Sequence, residues 1–110
     1  MTPPVLVLVP AHSTAPAMAG SEVVVYATAV DIAAALAAHP GAPAVLWSDG
    51  LAPGEVPGGV AGRASGVIEV RSARWDGATP SPLSAVCRGV VAGFGLRGVV
   101  AAVALLTGEP

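Results

Sequence analysis

The chain has 110 residues and a formal net charge of −2, and only 11% of its residues are charged, against a usual share of about 25%. That length holds one domain, residues 1–110, around one modest core, and five arginines without a lysine make no basic field for nucleic acid. A single cysteine, Cys87, excludes an internal disulfide.

The opening stretch, MTPPVLVLVPAHS, has no basic region and only five apolar residues in a row, so no secretory leader is expected. Within it VLVLV (5–9), stopped by Pro10, reads as a strand buried on both faces. EVVVYA (22–27) reads as a second strand. The twelve residues between them are about the minimum for a parallel crossover, with room for one helical turn bracketed by Pro16 and Gly20. Thr28 then opens TAVDIAAALAAHPG, with Asp31 three residues on as in a capping box and His39 and Gly41 at the end. This is the clearest helix in the chain.

AVLW (44–47) reads as the third strand, turned by Ser48-Asp49-Gly50. APGEVPGGVAGRASG carries five glycines and two prolines, so any helix there should be short or distorted. VIEV (67–70) is the fourth strand and RSARWDGATPSP a loop; VCRGVVAG reads as the fifth strand and LRGVVAAVALL as a closing helix ended by Gly108. Near-solid apolar strands alternating with crossovers imply an α/β domain with a parallel sheet. The most apolar window, 89–106, is broken by four glycines and Arg97, whereas a membrane span needs about 20 uninterrupted apolar residues. A cytoplasmic protein without a membrane partner is the expectation.

GFGLRG (93–98) matches the G-x-G-x-x-G fingerprint of dinucleotide sites. That site needs a following strand and an acidic residue about 20 positions on. Only twelve residues follow Gly98, so neither is expected here. No cofactor is expected, and no His, Cys or carboxylate spacing suggests a metal.

Polar and aromatic residues gather where strands end, the edge at which parallel sheets bind ligands. His12 and Ser13 follow the first strand, Trp47 and Asp49 the third, and Arg71, Ser72, Arg74 and Trp75 the fourth. Each has two readings. Arg71 stays protonated near neutral pH and is no acid; it either binds a carboxylate or developing enolate, or forms a salt bridge. His12 is either a proton-transfer group or a histidine satisfied in a turn. Trp47 and Trp75 either wall an apolar pocket or fill space in a core or interface. Asp49 suits an Asp-Gly turn and Cys87 a buried small hydrophobe.

SPLSAVCRGVVAGFGLRGVVAAV (81–103) resembles the last third of type II 3-dehydroquinate dehydratases, with Gly89, Gly93, Phe94, Gly95 and Gly98 in register with that family's G-V-x-x-G-[FL]-G-x-x-G-Y. VIEVR looks like the family's IEVH strand, AVLWSDGL like its VILNAGGL, and VLVLVPAHS like its opening strand and turn. The resemblance implies a flavodoxin-like three-layer fold with a five-stranded parallel sheet, its first crossover helix reduced or absent. It also implies trimers grouped into dodecamers, and glycines that pack the last strand against the last helix.

The family's enolate chemistry uses a tyrosine base, a lid arginine, a turn asparagine and an acid histidine. Here the lid is missing with its tyrosine and arginine. Ser13 stands where the turn asparagine belongs, Trp47 replaces a substrate-binding asparagine, Arg71 replaces the acid histidine, and Ser81 persists. The expectation is a repurposed small-molecule lyase, dehydratase or cyclase. Its catalytic residues would be His12 and Arg71, and its substrate contacts Ser13, Trp47, Asp49, Ser72, Arg74, Trp75 and Ser81. A non-catalytic protein that keeps the fold for assembly or ligand binding is the alternative, and genuine dehydroquinase activity ranks third.

Overall fold

The computed structural model describes residues 3–16, 18–73 and 81–108. In chain order these form β1 (Val5–Pro10), β2 (Ser21–Tyr26), α1 (Ala29–Ala38), β3 (Ala44–Trp47), a 3-10 turn (Ser48–Gly50), β4 (Val67–Arg71), α2 (Pro82–Val86), β5 (Gly89–Ala92) and α3 (Leu96–Thr107). All strand pairs are parallel, in the order β2-β1-β3-β4-β5. That order is flavodoxin-like, with its switch point between β1 and β3.

Burial follows position in the sheet. The central strands β1 and β3 are buried at every residue, which is why they read as solid apolar runs, while the edge strands β2 and β5 are only partly covered. One face carries Leu6, Leu8, Ala44, Leu46 and Val67, packed against Ile32 and Leu36 of α1 and Leu83 of α2. The other carries Val5, Val7, Val9, Val45, Trp47, Ile68 and Val70, packed against Val99, Ala102 and Val103 of α3. The result is three layers.

The β1–β2 connection departs from expectation. No helical turn forms among the described residues between Pro10 and Ser21. The segment must return along a six-residue strand, roughly 20 Å at 3.3 Å per residue, and helical residues advance only about 1.5 Å each. It runs irregularly instead and lays Ala15 and Met18 against the α3-side core. The stretch from Ala52 to Gly66 forms turns and no helix.

The α1 helix begins as its sequence implies: the Asp31 carboxylate accepts from the amides of Ala27 (2.8 Å) and Thr28 (3.1 Å). Those bonds favour the ionised form and hold the Asp31 pKa below the usual value of an aspartate. At the other end His39 is the C-cap, but Arg63 satisfies the open carbonyls. Its guanidinium donates to Leu36 (2.9 Å), His39 (2.5 Å) and Ala42 (2.8 Å). The fifth strand starts at Gly89 rather than Val86, because Pro82 at the first turn and Ser81 as N-cap, accepting from the Ser84 amide, make 82–86 helical.

Gly98 explains the glycine-rich tail. A Cβ there would lie 3.0 Å from Val70 Cγ1 and 3.1 Å from Val91 Cγ1. α3 therefore rests directly on β4 and β5, and this glycine serves helix–sheet approach.

Candidate functional site

Glu69 and Arg71 lie two residues apart on β4 and so share a face of the sheet. The register places Glu69 beside Leu46 on the α1/α2 side. Glu69 is 1% exposed and is the buried charged residue among the described core positions. A carboxylate so far from water needs compensation. It accepts from Ser48 Oγ (2.7 Å), Arg71 Nε (2.5 Å) and Ser84 Oγ (2.6 Å). Arg71 Nη2 in turn donates to Ser81 Oγ (2.5 Å) and Ser84 Oγ (2.7 Å). Five side chains from β4, α2 and the 3-10 turn thus form one polar cluster at the carboxyl end of β4.

Two donors of this cluster remain uncommitted among the described residues: Arg71 Nη1 and the Ser81 hydroxyl proton. The Arg71 side chain is 24% exposed. Cys87 packs beside the cluster; burial pushes its thiol up to about 12, with the Glu69 charge adding and the Arg71 charge opposing. It is therefore an inert, protonated thiol near neutral pH.

Trp47 belongs to the other side. Its register partner is Val70, so it lies in the α3-side core at 8% exposed. Its indole Nε1 donates to Ser72 Oγ (3.3 Å), and the Ser72 amide donates to Asp49 Oδ1 (3.0 Å). Trp47, Asp49 and Ser72 are thus brought together just beyond the strand ends, with the Trp47 ring on the face opposite Arg71.

His12 is exposed and Ser13 partly exposed in the turn leaving β1, where the Ser13 amide donates to Pro10 O (2.9 Å). Neither hydrogen-bonds to the Arg71 cluster among the described residues. Arg74 and Trp75 lie outside the described residues.

Tyr26, the one tyrosine of the chain, is no stand-in for a catalytic base. It is buried beneath the 3-10 turn, donates to Trp47 O (2.6 Å) and accepts from the Gly50 amide (3.1 Å). Burial pushes it up to about 12, despite the opposing Gly50 bond. A Cβ on Gly50 would lie 3.0 Å from this hydroxyl and from Pro10 Cβ, so the turn closes tightly over the carboxyl ends of β1 and β2.

Ser48, Glu69 and Ser84 were not evident as site residues from the sequence. The available signals were an acid inside the apolar run VIEV and two serines three apart at a helix start. Among the described residues no group of three His, Cys, Asp or Glu side chains gathers to hold a metal, and no helix is long and apolar enough to cross a membrane. No protein family, curated protein or solved structure matches this chain.

Proposed function

We propose that this chain is a shortened, diverged relative of the type II 3-dehydroquinate dehydratases, acting on a different small molecule as a lyase, dehydratase or cyclase. The observation carrying this reading is the fixed Arg71 guanidinium at the carboxyl edge of the sheet. Glu69, Ser81 and Ser84 hold it by 2.5–2.7 Å bonds, while Nη1 stays uncommitted among the described residues. Donors held in place before reaction stabilise a developing oxyanion without reorganising.

In this mechanism His12 removes a proton from the carbon beside a carbonyl. The electron pair moves onto the carbonyl oxygen, which accepts from Arg71 Nη1 and the Ser81 hydroxyl. Collapse of that enolate expels a β-hydroxyl, which leaves as water with the proton from His12. β1 and β4 are two places apart in the sheet, about 10 Å at 4.8 Å per strand. A ring-sized substrate spans that gap between a residue after β1 and one at the end of β4.

Solvent exchange tests this reading. In D2O, at least one member of a panel of small ketones and keto acids should exchange the protons beside its carbonyl faster with the protein than in buffer. His12→Ala should slow this by about 10²-fold or more, and Arg71→Ala by a similar factor. Exchange no faster than buffer across the panel, or full rates in His12→Ala, would refute it.

The non-catalytic reading draws support from a specific observation too. Glu69 neutralises Arg71 within a hydrogen-bonded cluster, and Trp47 is packed in the opposite core. On that reading the cluster simply pins α2 and the 3-10 turn to β4.

A further inference from the structure

The geometry points to a neutral carbonyl compound, rather than a carboxylate or phosphate, as the ligand class of the Arg71 rim. This rests on the reading of that rim as the ligand site. An arginine takes a carboxylate through two parallel N–H bonds from one edge of its fork, either Nε with Nη2 or Nη1 with Nη2. Neither edge is open here. Nε is spent on Glu69 at 2.5 Å, and both Nη2 protons are spent on Ser81 (2.5 Å) and Ser84 (2.7 Å). Among the described residues Nη1 alone remains, and the Ser81 hydroxyl bound to Nη2 keeps its own proton. Donation from Nη1 suits a single oxygen, to which the Ser81 hydroxyl can add a second bond.

Charge argues the same way. The Glu69 carboxylate is 1% exposed, so water does little to screen it, and it lies 2.5 Å from the guanidinium. An arriving carboxylate or phosphate meets a pair of zero net charge and must also shed its own hydration. A ketone oxygen loses far less on entry. When that oxygen becomes an enolate, the same two donors grip it more strongly, because hydrogen bonds to ionised acceptors are about twice as strong as neutral ones. Selection against anionic ground states and stabilisation of an anionic transition state are compatible in one site, and such differential binding accelerates a reaction.

The test uses hydroxyacetone as the neutral probe and pyruvate and inorganic phosphate as anions of similar bulk, followed by NMR on ¹⁵N-labelled protein at the Arg71 guanidinium and the Ser81 and Ser84 amides. In the wild type, hydroxyacetone should shift these signals saturably, and pyruvate and phosphate should not at the same concentration. Glu69→Gln keeps the shape and acceptor oxygen but frees the arginine's charge; it should bind pyruvate at least tenfold more tightly than the wild type. Ser84→Ala, which loosens the cluster but keeps both charges, should show no such gain. The wild-type comparison stands even if Glu69→Gln folds poorly. Pyruvate or phosphate binding to the wild type as tightly as hydroxyacetone overturns the ligand class and leaves the site intact. No shift with any probe in wild type or variant overturns the site itself.

Discussion

Arg71 donates from Nε to Glu69 Oε2 at 2.5 Å, from the last residue of β4 to a carboxylate two positions earlier on the same face. The bond crosses no turn and joins no two strands. It sets the end of β4 against α2, because the serines that complete it, Ser81 and Ser84, open that helix. Removing the acid leaves a cation facing an apolar interior. Glu69→Ala should therefore cost about 3 kcal/mol in urea unfolding, whereas Glu69→Leu combined with Arg71→Leu should recover most of that loss, since apolar replacement of a buried pair is often neutral. A cost below about 1 kcal/mol for the single variant would show that the cluster is not structurally important.

Stability should fall steeply in alkali. Tyr26 and Cys87 are each held near 12 in the folded protein by burial, against unfolded values of about 10 and 8.5. Both folded values are raised, so their contribution is complete below the unfolded values and is lost as pH rises towards the folded ones. Above about pH 9 the unfolded state loses the thiol proton first, and above about pH 10 the phenol proton as well, each costing up to about 1.4 kcal/mol per pH unit. Urea midpoints followed from pH 8 to 11.5 should show this two-stage decline, and Cys87→Ala should remove its first stage. A flat profile would contradict the burial of both groups.

Gly98→Ala should destabilise by up to about 2 kcal/mol. Overpacking against Val70 and Val91 costs about 1–3 kcal/mol and outweighs the roughly 1 kcal/mol that alanine gains over glycine in a helix. Gly41, with nothing within 4 Å of an added Cβ, is the control, and Gly41→Ala should change stability by less than about 0.5 kcal/mol. A stabilising Gly98→Ala would mean that α3 does not rest on the sheet as described.

How far the sequence reveals this architecture depends on how local each feature is. Strand and helix positions were legible because VLVLV and AVLW report burial directly, and AAALAA reports helix propensity. The five-residue α2 was hidden by its length, since Pro82 and Ser81 look like loop residues until their amide partner is known. Arg63 was invisible as a cap, because the carbonyls it satisfies lie 21 to 27 positions upstream. The side of the sheet taken by Trp47 needed register: in a strand buried on both faces, alternation carries no hydropathy signal. Glu69 passed as an ordinary strand residue for the same reason.

Self-association should follow from the low charge content and from exposed Val90 on the edge strand β5, Phe94 just after it, and Leu96 and Val100 on α3. Light scattering at micromolar concentration should give a trimer or a multiple of it, and Phe94→Glu should lower the mass. A stable monomer would contradict this.

The central claim is that a ligand oxygen is received by Arg71 on the α1/α2 face, and soaking crystals with hydroxyacetone tests it most directly. Its carbonyl oxygen should appear at about 2.9 Å from Arg71 Nη1, with the Ser81 hydroxyl as second donor. Ligand bound instead in the groove of about 380 Å³ at the amino end, lined by Pro4, Ala19, Pro43 and Leu106, with the Arg71 cluster left bare, would contradict it.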